Sequence, residues 1–235
     1  MSTAKQTAVA NSLLRALSRK ECRHMLARCE QVSLTYGEIL SEPGDQIRHV
    51  YFPNNGLISL LTPVDGHASV EVGMVGSEGM AGMPLVLGIN VSPVRALVQG
   101  SGTASRMKAK SFRDELKRNP VLQRELNRYL HMLMAQVTQT AACNRHHLLR
   151  ERLARWLLMT HDRMRTNKFL LTQEFLAHML GVRRVGVTKA AKLLQKKKLI
   201  RYNRGHITIL DRKGLERASC RCYGAVNDIR DRMLG

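Results

Sequence analysis

Residues 171–200, LTQEFLAHMLGVRRVGVTKAAKLLQKKKLI, constrain the fold of this chain more than any other stretch. Thr172 is a good N-cap for a first helix, because its hydroxyl can accept from a free N–H of the first turn. Phe175, Leu176, Met179 and Leu180 follow at helical spacing and give one apolar face. Ala177 falls where two helices would approach most closely. Gly181, four residues on, can take the positive φ of a tight turn without steric cost. Val182, Val187, Ala190 and Leu194 then supply the inner face of a second helix, expected over 183–197. This is the spacing of a helix-turn-helix. Left outward are Arg183, Arg184, Val185, Thr188, Lys189 and Lys192, with Thr172 and Gln173 at the start of the first helix.

The N-terminal end of such a second helix enters the major groove of DNA. There Arg184 can donate two hydrogen bonds to guanine O6 and N7, Val185 can meet a thymine methyl, and Lys189 can reach guanine or a phosphate. Each good base contact discriminates by roughly 1–3 kcal/mol. Two β-type runs, LIRYN and HITIL, follow and are joined across Asn203-Arg204-Gly205. They predict a hairpin wing with Arg201, Arg204 and His206 placed to touch backbone phosphate. The charge agrees with this reading. The chain carries a formal net charge of +20, and residues 144–235 hold 22 Lys/Arg against 7 Asp/Glu, whereas residues 1–143 hold 16 against 11. A concentrated basic domain attached to a near-neutral one is the footprint of a polyanion binder.

The first half of the chain has a different texture. Leu13, Leu14, Leu17, Met25 and Leu26 make 11–29 helical in pattern. From about 30 to 108, short β-type runs (HVYF at 49–52, LISLL at 57–61, SVEVGMV at 69–75, VRALVQ at 94–99) alternate with turn signals at PGD 43–45, PNNG 53–56 and VDGH 64–67. Such spacing argues for an antiparallel β-roll or jelly roll. From Ser111 the period becomes helical, and a long helix is expected over 120–143 with Pro120 in its first turn. Leu126, Leu130, Leu133 and Val137 repeat at 4-3-4 spacing. That stripe is either the seam of a parallel homodimer or the face by which the helix packs on its own β-domain. A second helix is expected over 147–164, with a hinge at Asn144-Arg145. The expected fold is α+β in three parts: a β-roll sensor domain over 1–110, a dimerisation helix over 111–143 and a winged helix-turn-helix over 144–235.

Several function classes lose support. Apolar runs stop well short of a membrane span, and MSTAKQTAVANSLLRAL lacks the h-region of a signal peptide. Five cysteines, an odd number without framework spacing, point to reduced thiols in the cytoplasm. No GxSxG, HExxH or P-loop is present, so no enzyme is expected. No cofactor or metal site is expected either. Cys220-Arg-Cys222 is too short a pattern alone, and His24 and the His146-His147 pair lie on amphipathic helices where solvated histidines are usual.

With these residues in view, the sequence resembles the Crp/Fnr (catabolite activator protein) family of bacterial transcription regulators. LTQEFLAHMLGVRR, VT, LLQKKKLI and RGHITILDRKGLE look like that family's winged helix-turn-helix, and the order of β-roll, long helix and winged domain is similar. The resemblance spans nearly the whole chain and is specific over 148–218. It implies a homodimer on double-stranded DNA, reading two half-sites of a palindromic operator about 10 bp apart, and an effector in the β-roll that turns the DNA-binding domains about the hinge. The family's Arg-Glu-…-Arg set on the recognition helix is kept at Arg184 and, as Lys189, at its end, while Val185 replaces the glutamate. The base preference at that position should therefore depart from the family's.

The stretch EVGMVGSEGMAGMPLVLG, 71–88, raises the question of a ligand. The resemblance implies, for cyclic-nucleotide binders, a Gly-Glu-Leu stretch and an Arg-Ser/Thr pair downstream. Here Met80-Ala81-Gly82 lacks the glutamate, Glu78 is displaced, and Arg95 is followed by Ala96. Arg95 is also the only Lys or Arg between Arg48 and Arg106, and a buried phosphate must be paired. Candidate effector residues are Met74, Glu78, Met80, Met83 and Arg95. The stretch can be turns around an apolar, Met-rich pocket for an unidentified small molecule, a packed roll without ligand, or a contact for a partner protein or RNA polymerase. The alternatives are a cyclic-nucleotide response through Arg95, or a nucleotide-sensing module that controls a partner without binding DNA. The iron–sulfur pattern of the family is not met: Cys22 and Cys29 are N-terminal, the β-roll has no cysteine, and Cys143 lies on the long helix.

Overall fold

The computed structural model describes residues 10–64 and 68–234; most of the expected VDGH turn lies outside them. The N-terminal helical segment is two helices, α1 (Ser12–Arg15), which Asn11 caps at its start, and α2 (Arg19–Ala27), begun anew by a cap at Ser18. Asn11 accepts from the N–H groups of Leu13 and Leu14 and donates to the carbonyls of Pro53 and Gly79. Ser18 and Glu21 form a reciprocal capping box on α2.

Seven strands follow: β1 (Glu30–Leu34), β2 (Ile39–Ser41), β3 (His49–Pro53), β4 (Leu57–Val64), β5 (Ala68–Val75), β6 (Arg95–Gly100) and β7 (Gly102–Lys108). They make two antiparallel sheets, ordered β1-β7-β3 and β2-β6-β4-β5. Leu34, Ile58, Val75, Ala81, Ala96, Val98 and Ala104 are buried together as one core of the roll.

The glycines that follow β5 have a steric role. A Cβ on Gly79 would overlap the Tyr129 ring, and one on Gly76 would overlap the Arg163 stem. These two glycines let later helices approach the strand end. Gly82 and Gly88 bracket a 3₁₀ turn (Met83–Leu87) with φ of +98° and +78°, which suits residues without a Cβ.

Helix α3 (Ala109–Arg118) leads into α4 (Pro120–His146), capped by Asn119 with Pro120 at its first position. Helix α4 buries Leu122, Leu126, Tyr129, Met132 and Leu133 with Met25, Phe52 and Phe112. It runs straight through Asn144-Arg145, so the chain does not turn there. The break comes at His147, whose φ of −107° and ψ of 149° are extended. Then come α5 (Leu149–Met164), β8 (Lys168–Leu170), α6 (Gln173–Leu180), α7 (Arg184–Lys196), β9 (Ile200–Asn203), β10 (His206–Ile209), α8 (Arg212–Ala218) and α9 (Cys222–Leu234). The wing is a three-stranded sheet, β8-β10-β9. Helix α9 returns to pack along α4.

The winged domain and the β-roll share a core. Leu57, Leu61 and Met74 of the roll join Trp156, Leu157, Met179 and Leu180 in one buried cluster. Polar ties cross the same boundary. Trp156 Nε1 donates to Glu71 at 2.9 Å, Arg163 pairs with Glu78 at 2.8 Å, and the Tyr36 and Phe175 rings lie 6.2 Å apart.

Candidate nucleic-acid interface and β-roll cavity

The helix-turn-helix forms as its sequence dictates. Thr172 Oγ1 accepts from the Phe175 N–H at 3.1 Å, and Gly181 takes φ +60°, ψ 45°, closing α6 with bonds back to Ala177 and His178. Leu176, Ala177, Met179 and Leu180 are buried on α6, and Val187, Ala190, Ala191 and Leu194 on α7. Phe175 is only half-buried, turned toward Tyr36.

The outward set then lies on one face. Arg183, the N-cap residue of α7, and Arg184, Lys189 and Lys192 on the helix are exposed, and Val185 is 59% exposed. Thr188 donates to Gln173 Oε1 at 2.6 Å, which orients the Gln173 amide and leaves its NH₂ free to donate outward. No side chain caps the start of α7, so its first N–H groups and the positive end of its dipole face outward, a fitting place for a phosphate. Across the groove, Arg204 and Gly205 form the two-residue turn of the wing with φ of +47° and +82°, and Arg201, Arg204 and His206 are all exposed. Thr172, Gln173, Arg184, Thr188, Lys192, Tyr202 and Arg204 line a groove of about 480 Å³ between helix and wing. Tyr202 OH donates to the Leu171 carbonyl, and burial pushes its pKa up to about 12, so it stays a neutral prop for the groove floor.

Charge is segregated within this domain. Among the described residues, Arg183, Arg184, Lys189, Lys192, Arg201 and Arg204 form no ion pair, whereas Arg163 and Arg212 on the other side are held by Glu78, Asp162 and Glu216. Unpaired cations gathered on a grooved face can neutralise phosphates and release counterions.

The effector candidates part company. Met80 and Met83 line a β-roll cavity of about 740 Å³, with Leu40, Leu60, Val72, Ala96, Leu130, Leu133 and Val137 among its walls. Met74 is not there; it is fully buried in the core shared with the winged domain. Glu78 is also elsewhere, bound to Arg163. Arg95 points away from the cavity because strand alternation sends Ala96 inward, and its guanidinium pairs with Glu42 at 2.8 Å. The ionisable residues lining the cavity are Asp45, Arg48, His49 and Tyr51. His49 is held below its usual pKa, first by burial and then by Arg106, and so favours the neutral form.

The expected seam of the long helix also divides. Leu126 is fully buried and Leu133 nearly so within this chain's own core, while Leu130 and Val137 are half-buried at the cavity. The 4-3-4 stripe therefore faces the β-roll, and the exposed flank of α4 carries Asn127, His131, Met134 and Thr138. One cluster joins residues that the sequence shows only as separate, weak patterns. Cys143, His147, Cys220 and Cys222 come within 4.8 Å of one another. Its two halves are 77 residues apart at Cys143 and Cys220, and the local clues are the i, i+4 spacing of Cys143 and His147 and the Cys220-Arg-Cys222 pair.

A winged helix-turn-helix behind a β-roll and a long helix defines a class of DNA-binding regulator. Residues 151–218 match the family model of the Crp-like helix-turn-helix domain. A search of curated proteins found no match. Among solved structures, a Crp/Fnr-family transcriptional regulator from Thermus thermophilus is 22% identical with a TM-score of 0.67, over 81% of this chain and 98% of that one. FixK2 from Bradyrhizobium japonicum is 13% identical with a TM-score of 0.65, over 82% and 98%. The c-di-GMP-responsive global regulator CLP of Xanthomonas campestris is 15% identical with a TM-score of 0.65, over 82% and 99%. Residues 151–218 are thus a Crp-like helix-turn-helix domain, and the chain as a whole shares the fold of Crp/Fnr-family regulators, a β-roll followed by a long helix and a winged domain. No helix among the described residues is long and apolar enough to cross a membrane.

Proposed function

We propose that the protein acts in the cytoplasm as a homodimer whose two α7 helices read the halves of a palindromic operator, with RNA polymerase as its protein partner and no catalytic role. The observation that carries this reading is the set of six unpaired Lys and Arg side chains on the helix–wing face. Arg184 and Val185 act as base readers, and Lys192, Arg201 and Arg204 act on phosphate. The dimer contact falls to the outer flank of α4 around Met134, since Leu126 has no surface left for a partner. Selection of bound DNA from a random pool, with and without cell extract, tests the reading. A palindromic consensus is expected. A pool that stays unenriched, or an Arg184→Ala protein that selects the same consensus with the same affinity, would overturn it.

The effector is an apolar small molecule seated against Met80, Met83, Leu130 and Val137. The mostly aliphatic wall supports this, as does the outward turn of Arg95 onto Glu42. Thermal shifts with cyclic nucleotides should be absent, whereas an apolar solute of matching size should raise the melting temperature by mass action.

A further inference from the structure

We propose that Cys143, His147, Cys220 and Cys222 form a tetrahedral site for one thiophilic divalent cation, Zn²⁺, that ties the end of α4 to the turn between α8 and α9. Cys143 and His147 are four residues apart, so both project from one side of the last turn of α4, and His147 sits where the helix ends. Cys220 and Cys222 flank the start of α9. The Cys143 and Cys220 sulfurs are 3.4 Å apart, and Cys222 Sγ is 3.5 Å from His147 Nδ1. A Zn²⁺ ion with its usual bond lengths places tetrahedral sulfurs about 3.8 Å apart and a sulfur and a nitrogen about 3.5 Å apart. The four ligand atoms thus nearly match a coordination shell, whereas a disulfide would need its sulfurs at about 2.05 Å.

The surroundings suit thiolates. The three cysteines are buried as a cluster of their own. Gln139 Nε2 donates to Cys222 Sγ at 2.9 Å, the kind of outer hydrogen bond that steadies a ligating sulfur. Arg152 and Arg155, on the facing helix, each keep a buried Nε without a partner. Three thiolates on a dication leave one net negative charge, which these guanidiniums offset. With four protein ligands the shell is closed, so the ion is structural. Its place at the His147 break means that it would fix the angle at which α4 hands over to the winged domain.

The test uses the full-length protein made with zinc in the medium and dialysed without chelator. About one zinc per chain is expected by elemental analysis, and cobalt exchange should give the absorption bands of a tetrahedral thiolate site. Cys143→Ser and Cys222→Ser should each lose the metal, while Cys29→Ser, remote from the site, keeps it. The cobalt spectrum of the unaltered protein stands even if a cysteine variant fails to fold. Metal-free protein that takes up no cobalt, a Cys143–Cys220 disulfide in peptide mapping, or loss of metal in Cys29→Ser would each overturn the proposal. None of these readouts depends on DNA binding.

Discussion

Glu71 is the carboxylate through which the β-roll meets Trp156, and burial pushes its pKa from 4.5 up to about 7. Loss of water is the largest cause. The hydrogen bonds from Ser59 and Trp156, and then the Arg163 and Arg155 charges, pull the other way. Ser59 carries one hydroxyl proton but faces two acceptors, Glu71 Oε2 at 2.6 Å and Gln99 Oε1. A protonated Glu71 resolves the conflict by donating to Ser59, which then donates to Gln99. Turning the Gln99 amide over would resolve it too, and titration separates the two arrangements. Since the native state holds this proton more tightly than the unfolded chain, its stabilisation is complete below 4.5. It is lost as pH rises toward 7, and flat beyond. Across that window each pH unit removes about 1.4 kcal/mol, so the whole loss is about 3 kcal/mol.

Trp156 is the only tryptophan in the chain, so its emission reports the site directly. A native-state titration should show a midpoint near pH 7 that is absent in Glu71→Gln. Urea unfolding should show the stability of the parent protein falling by about 3 kcal/mol relative to Glu71→Gln between pH 4.5 and 7.5. A midpoint near 4.5, or the same titration in Glu71→Gln, would refute the reasoning and favour an ionised Glu71 with a reversed Gln99 amide.

Arg184→Ala should relax preference at one base position by roughly 1–3 kcal/mol in competition binding, while Lys192→Ala should weaken all sequences alike and lower the salt slope by about one. Gly79→Ala must push Tyr129 off the strand end and should cost about 1–3 kcal/mol in denaturant unfolding. Met83→Trp narrows the β-roll cavity beside Met80, so the thermal shift given by an apolar ligand should shrink.

The parts of the fold legible in sequence were those with local grammar. Thr172, Ala177 and Gly181 announce the helix-turn-helix because cap, close approach and αL turn are decided within ten residues of chain. Strands β3 to β6 were visible as apolar runs. Strands β1 and β7 were not, since EQVSL and GTASRMK each bury few apolar side chains, and β8 has only Phe169 buried. Leu126, Leu130, Leu133 and Val137 show the limit of periodicity: a stripe states that a face is covered, not by what. Arg95 was a reasonable phosphate partner until strand alternation turned it onto Glu42. The four-ligand cluster was illegible because its halves meet only through the return of α9 along α4.

A continuous chain of contacts joins the cavity wall to the DNA-binding domain by way of Gln136. Leu133 and Val137 form part of the cavity wall on α4, and Gln136, between them and fully buried, turns to the open edge of β5. There its Oε1 accepts the Met74 N–H at 2.7 Å and its Nε2 donates to the Met74 carbonyl at 3.3 Å, taking the place of a neighbouring strand. Met74 in turn packs in the core shared with Trp156 and Leu157. A ligand that shifts α4 against the roll must therefore either carry the β5 edge with it or break these two bonds. Gln136→Ala would leave two buried backbone groups unpaired, a cost of about 1–3 kcal/mol each. It should destabilise the protein and sever the response of operator affinity to an apolar ligand while the ligand still binds. Gln136→Glu keeps one acceptor for the Met74 N–H and faces the Met74 carbonyl with a second acceptor, so it should show the same loss with a dependence on pH. If ligand binding still changed operator affinity in Gln136→Ala by the same factor as in the parent protein, the coupling would have to pass elsewhere, through the end of α4 at His147.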